Sequence, residues 1–241
     1  SWTTSADGLT WSFTLKEGAT FQDGSPIEAK DVVWSVNRLL AINEGPSYLF
    51  EGVLSEGSVT EKGSRTVQFQ LEKTYAPFLT TTPILFIVNS DLAKKNATDG
   101  DPWAQDFIAN NSIGAGAFYL DSWERGAGMT IKAYDGYHLG WTDTGIDEVR
   151  FVVTNEEATV KALAVSGELS MSSDAQAQET YDSIGNLDDY RIDKYSTATN
   201  FYLKLNNSIA PTDDVNIRKA IAYATDYDTI RDVILPGAPL T

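Results

Sequence analysis

Cysteine is absent from this 241-residue chain, and histidine occurs once, at His138. Without cysteine there are no disulfides, thiol nucleophiles or thiolate metal sites. A catalytic zinc takes two or three histidines as a rule, and a lone His138 leaves that chemistry without ligands. A Ser-His-Asp triad would also run through His138, yet no Gly-x-Ser-x-Gly elbow precedes a helix. Positive charge is scarce: 18 basic residues stand against 34 acidic ones, a formal net charge of −16. Such a surface repels phosphate backbones and anionic lipid, so nucleic acid is not an expected partner. The excess is read as a solubility feature. No apolar run approaches the roughly 20 residues of a membrane helix. The opening Ser1-Trp2-Thr3-Thr4 has neither the basic nor the apolar region of a signal peptide, so the chain is expected to be cytosolic or to have lost its N-terminus.

What is present is material for a core. Hydrophobic residues make up 42% of the chain and aromatics 11%, which sets disorder aside. Asp7-Gly8 marks a turn, after which Trp11, Phe13 and Leu15 alternate with Ser12 and Thr14 as in a half-buried strand. Pro26 leads into Val32, Val33, Val36, Leu39 and Leu40, the stripe of an amphipathic helix. Glu28 and Asp31 fall in its first turn, where the helix dipole favours negative charge. Val67, Phe69 and Leu71 predict a second strand, and a short helix is expected around Trp103 to Ala109. Phe118 and Leu120 pair in a predicted hairpin with Met129-Ile131-Ala133, through Arg125-Gly126-Ala127-Gly128.

Val149 to Val153 reads as a buried strand. Thr154-Asn155-Glu156-Glu157 has capping-box spacing ahead of a helix bearing Val160, Leu163 and Ala164. Phe201, Leu203 and Leu205 read as another strand. A helix is predicted from Asp213 or Asp214, with a shorter one over Thr229 to Leu235. Strands and helices mix without strict alternation, which predicts an α/β or α+β class with mixed sheets.

The remaining constellations carry little chemistry. Glu156-Glu157 and Asp213-Asp214 are carboxylate pairs of the kind a glycosidase uses, but both sit at predicted helix starts, where capping explains them. Gly114-Ala115-Gly116-Ala117 lacks the Lys-Ser/Thr of a phosphate loop and opens a strand. No cofactor or metal is expected. Tyr75, Trp103, Trp123, Tyr137, Trp141 and Tyr202 stand at loop positions, where a minority lining a cleft would suit a binding protein.

Asp7-Gly8-Leu9-Thr10-Trp11-Ser12-Phe13-Thr14-Leu15-Lys16-Glu17-Gly18 is followed by Phe21-Gln22-Asp23-Gly24-Ser25-Pro26 and Ala29-Lys30-Asp31-Val32-Val33-Trp34-Ser35. Together they resemble the signature stretch of the family 5 extracytoplasmic solute-binding proteins, the oligopeptide, dipeptide and nickel binders of bacterial ABC importers. Further agreement lies, in order, at Pro77-Phe78-Leu79, at Asn111 to Phe118 through Trp123, and from Leu205-Asn206 to Tyr223-Ala224-Thr225-Asp226. Ala115, Ala117 and Phe118 depart from the family's usual Thr, Pro and Tyr, and Gly136 to Trp141 departs from its Asn-x-x-Tyr-Trp motif.

The resemblance implies an α/β, two-lobed, periplasmic-binding-protein-like fold of type II with mixed sheets, here incomplete. Residues 1–195 are expected to form lobe I, with about 1–110 as the family's extra subdomain and about 111–195 as the core part. Residues 196–241 are expected to begin lobe II. The function implied is ligand capture without catalysis: oligopeptides or a related small solute would be taken up outside the cytoplasmic membrane and delivered to permease subunits. A monomer, periplasmic or extracellular and lipid-anchored in longer form, is the expected state. By the same resemblance Thr81 and Thr82, Gly114, Ala115 and Gly116, and Thr199, Asn200, Phe201 and Tyr202 line the ligand pocket. Gly114 and Gly116 are further expected to need backbone angles or close approaches that only glycine allows. Arg218 is expected to bond a backbone carbonyl or a carboxylate from another segment, as structural support. A carboxylate hydrolase and a chemoreceptor-partner domain are the alternatives.

Overall fold

The computed structural model describes residues 1–143, 145–172, 176–193 and 202–234. Two compact units divide the chain, Ser1–Ala177 and Gln178–Thr241.

The first unit is built on two antiparallel sheets. Strands β1 (Trp2–Thr4), β2 (Thr10–Thr14), β3 (Val59–Glu61) and β4 (Thr66–Gln70) form a sheet in the order β1-β2-β4-β3. Cross-strand partners share a face, and the register sets Trp11 opposite Phe69, Phe13 opposite Val67, and Val59 opposite Phe69. That face is the apolar one, as the alternation predicts. Helix α1 (Ala29–Ile42) lays Ala29, Val32 and Val36 into the same buried cluster, their spacing of three and four keeping them on one stripe. The short helix α2 (Phe78–Thr81) supplies the keystone. Phe78 is 0% exposed, with its ring centroid 5.3 Å from Trp11 and 5.5 Å from Phe69.

The capping box lies at α1. Glu28 is the N-cap, and the Asp31 carboxylate reaches back to accept its backbone N–H at 2.9 Å. Asp31 is 1% exposed and also accepts from the Ser90 backbone (3.0 Å) and hydroxyl (2.7 Å), tying α1 to the start of α3 (Ser90–Lys95). The box predicted at Thr154 does not form. Glu156 caps α5 (Glu157–Val165) without a side-chain bond, and Thr154 Oγ1 accepts from the Glu156 N–H at 3.1 Å, a local turn that competes with capping. A second small cluster, Ala93, Ala104 and Ile113, packs with Trp34 of α1; Ala104 stands just before α4 (Gln105–Ile108), the form taken by the short helix predicted around Trp103 to Ala109.

The second sheet runs β5 (Phe118–Glu124), β6 (Gly128–Ala133) and β7 (Glu148–Val152). The predicted hairpin is its first pair. A bulge between Leu120 and Ser122 shifts parity, so that Trp123 pairs with Met129 and stays on the face of Leu120 and Ile131. Gly128 meets β7 so closely that a Cβ there would collide with the Phe151 carbonyl oxygen. The expected burial of 149–153 is not found: β7 is the outer strand of its sheet, and Phe151, Val152 and Val153 are exposed.

The second unit contains α6 (Gln178–Gly185), α7 (Val215–Ala224) and α8 (Tyr227–Thr229), then a π-helical turn Ile230–Ile234. Asp214 caps α7 by accepting from the Asn216 N–H at 2.7 Å. Arg218 Nη1 donates to the carbonyls of Thr212 (2.8 Å) and Asp213 (3.0 Å), in the turn just before its own helix rather than in another segment. The strand predicted at 201–205 is not formed over 202–205; Tyr202 and Leu203 are exposed there without a ladder, which alternation alone cannot supply. Phe201 itself lies outside the described residues.

Candidate functional site

Two segments expected to line a pocket are described in full, and both lie in the first unit. In the first, Pro77 sets the chain turning and Phe78 plugs the core. Thr80, Thr81 and Thr82 then each donate their hydroxyl at 2.8 Å to the carbonyl three residues earlier, at Pro77, Phe78 and Leu79. Thr81 is buried and Thr82 half-buried. Their hydroxyls are committed to the local turn, so this loop presents backbone and the apolar edge of Pro83 and Ile84.

The second segment, Gly114-Ala115-Gly116, is clamped rather than strained. The Gln22 backbone N–H donates to the Gly114 carbonyl at 3.0 Å, and Gln22 Nε2 to the carbonyls of Phe118 (2.7 Å) and Gly116 (3.3 Å). Ser112 donates its hydroxyl to Gln22 Oε1 at 2.5 Å, and the Asn89 N–H bonds the Ile113 carbonyl at 2.9 Å. The expected need for glycine is not met. Neither residue has a left-handed φ, a Cβ at Gly114 would meet nothing, and one at Gly116 would stand an ordinary 3.8 Å from the Phe118 oxygen.

The anchor beneath that segment is the turn Phe21 to Ser25, where Gly24 has φ of 83°. The Asp23 carboxylate accepts from the Ser25 hydroxyl (2.5 Å) and N–H (2.9 Å) and from Asn89 Nδ2 (2.9 Å). The Ser25 hydroxyl is the main cause that holds the Asp23 carboxyl below the usual carboxylate range, and burial opposes it. Beside this turn runs a groove of about 540 Å³, bounded by Asn110 to Ser112 and by Tyr119, Trp123, Arg125 and Tyr134. The Arg125 guanidinium sits 3.5 Å over the Trp123 ring and donates to the Ala109 carbonyl and Asn110 Oδ1. Tyr134 donates to the Phe21 carbonyl at 2.7 Å and lies 2.8 Å from Thr20 Oγ1.

Of the aromatic residues expected at loop positions, Trp123 lies instead in β5, where it borders the groove. Trp103 packs against Trp34 at 5.5 Å with the rings tilted, and Tyr137 and Trp141 pack on each other at 5.9 Å. Gln22, Arg125 and Tyr134 were not singled out from the sequence. Gln22 stood inside the Phe21-Gln22-Asp23-Gly24 motif, and that position was the one signal available. Thr199, Asn200 and Phe201 lie outside the described residues, while Tyr202 is 77% exposed.

One carboxylate of each predicted pair is engaged. Asp214 is spent on capping α7, and Glu157 accepts from the Ala177 N–H at 3.0 Å. Among the described residues no group of three His, Asp or Glu is placed to hold a metal ion. Nor is any described helix long and apolar enough to cross a membrane.

The family model for the middle part of the bacterial extracellular solute-binding proteins, family 5, matches residues 1–239. The chain belongs to that family. The probable D,D-dipeptide-binding periplasmic protein DdpA of Escherichia coli K12 is 32% identical over 239 residues, covering 98% of this chain and 45% of that protein. The dipeptide-binding protein DppE of Bacillus subtilis 168 is 28% identical over 247 residues, with 95% and 43% covered. This family 5 chain thus spans about half the length of the curated relatives it matches. Among solved structures, the MoaA binding protein from A. tumefaciens R10 in complex with mannopinic acid superposes with a TM-score of 0.82 at 22% identity, covering 95% of this chain and 45% of that one. An oligopeptide-binding protein of Borrelia burgdorferi gives 0.79 at 23%, covering 98% and 49%. At those identities the likeness is one of fold, and it gives the periplasmic-binding-protein architecture expected from the sequence.

Proposed function

We propose that this chain supplies one side of the binding cleft in a solute-binding component of an ABC importer, and that the solute is an oligopeptide or a related small molecule. The observation that carries the reading is the family match along residues 1–239, joined to a 32%-identical relative named for dipeptide binding. In this reading residues 1–195 make up lobe I and 196–241 open lobe II. Closure about the hinge between lobes buries the solute and reports occupancy to the permease.

Thr81, Thr82, Gly114, Ala115 and Gly116, with Thr199 to Tyr202, line the cleft. The inward hydroxyl bonds of the threonines support a backbone and apolar contribution from the first loop. The component works as a monomer outside the cytoplasmic membrane, held there by a lipid anchor, and performs no chemistry. One carboxylate of each pair weighed for a hydrolase, Asp214 and Glu157, is engaged in a cap or a turn, which supports that last point.

Native mass spectrometry of a full-length protein carrying these residues tests the reading. A co-purified peptide or peptide-sized solute, lost on mild unfolding, is expected. A protein that carries no solute and takes up none from a di- to pentapeptide mixture would overturn it.

A further inference from the structure

A separate cavity of about 290 Å³ lies in the first unit between α1 and the stretch that follows the threonine loop. This is the lower end of the size range for small-molecule sites, roughly 300–1,000 Å³. Leu39 and Ile42 from α1, with Ile84, supply its apolar lining. Phe86 also lines it and is 78% exposed. The wall is held in place, because the Val88 N–H donates to Ser35 Oγ at 3.1 Å across the same helix.

Two opposite charges line this one cavity. Arg38 is fixed by its Nε, which donates to the Trp103 carbonyl at 2.9 Å, while Nη1 and Nη2 have no hydrogen-bond or ion-pair partner among the described residues. Burial is the larger influence on this guanidinium and pulls its pKa down, against the charge of Asp101, as befits a cation short of compensation. Glu44 lies just past the left-handed C-cap of α1, Asn43 (φ 54°), and is exposed with no ion pair among the described residues.

We propose that this cavity binds a small zwitterion with apolar side chains, an amino acid or dipeptide. Arg38 receives the carboxylate, Glu44 the ammonium, and Phe86 with Ile84 the apolar side chain. A guanidinium whose position is set by its Nε leaves its two outer nitrogens in the fork that matches a carboxylate. The site needs nothing from the second unit and does not rest on the transport reading given above.

The test is a 1H–15N NMR titration of the 241-residue chain with Leu-Leu, N-acetyl-Leu-Leu and Leu-Leu-amide. Saturable shifts confined to residues 35–46 and 84–88 are expected, with Kd on the order of a millimolar for so small and open a site. Glu44→Gln is expected to weaken Leu-Leu and Leu-Leu-amide about fivefold, the upper range for one solvent-exposed ion pair, and to leave N-acetyl-Leu-Leu unchanged. Arg38→Gln should weaken the two ligands with a free carboxylate and spare the amide. Because Arg38 also holds Trp103, Phe86→Ala serves as the variant that leaves the scaffold intact, and it should weaken all three. Absence of saturable shifts in the wild-type chain overturns the proposal. So do variant effects that ignore which end of the ligand is capped.

Discussion

Replacing Asp31 by alanine should be among the most damaging single changes in the first unit, and its size follows from three hydrogen bonds. The carboxylate is 1% exposed and accepts from the Glu28 N–H at 2.9 Å, the Ser90 N–H at 3.0 Å and the Ser90 hydroxyl at 2.7 Å. Ser90 is itself 0% exposed, so its N–H has no water to turn to. Each donor left unsatisfied costs about 1–3 kcal/mol, and the hydroxyl can rotate toward another acceptor, so the loss should be about 2–5 kcal/mol. For a unit of this size that corresponds to a fall of about 10 °C in Tm. Asp31→Asn keeps one acceptor but turns an amide N–H₂ toward a donor, and should cost about half as much. Urea unfolding followed by tryptophan fluorescence, with Trp11 and Trp34 packed against the two clusters, reads the difference. A loss below about 1 kcal/mol for the alanine variant would mean that α1 and α3 are held by packing alone.

Three further outcomes follow from the same packing and charge. Phe78→Ala should cost about 3–5 kcal/mol by the same assay, because it removes a fully buried ring from the centre of an aromatic cluster. Gly128→Ala should lower thermal stability by about 1–3 kcal/mol through the clash with the Phe151 carbonyl, while Gly114→Ala should change it little. Asp23 is held below its unfolded pKa of about 4, so its stabilisation is full above pH 4 and is lost as the pH falls through the folded value. Accordingly, the stability difference between wild type and Asp23→Asn should shrink below pH 4; a difference that grows there would reverse the assignment.

Much of the first unit was legible because its elements announce themselves locally. The alternation at Trp11 and Phe13, the α1 stripe and the β5–β6 hairpin each follow from side-chain period, and tertiary packing agrees with them. Period is silent about layers, however. Val149 to Val153 has the run of a buried strand, yet on β7, the outer strand of its sheet, Phe151 and Val152 are exposed. Thr154 and Glu157 have capping spacing, but a hydroxyl bond to the intervening Glu156 N–H wins locally.

The glycines divide in the same way. Gly114 and Gly116 stood out by pattern, whereas the glycine that close approach requires is Gly128, identified by a neighbouring strand that sequence spacing does not reveal. The site was legible as segments more than as side chains. Pointing the Thr81 and Thr82 hydroxyls inward takes a helical turn at Phe78 to Thr81, and the Gln22 clamp joins residues some ninety positions apart.

The direct test of the account is a paired isothermal titration, of residues 1–241 and of a full-length protein carrying them, with individual di- to pentapeptides. Capture in this fold depends on burying the solute from both sides, and a one-sided surface recovers too little against the entropy lost on binding. The account predicts dissociation constants on the order of a micromolar or tighter for the full-length protein, and for residues 1–241 nothing tighter than the millimolar range. Micromolar binding by residues 1–241 alone, or none by the full-length protein, would contradict it.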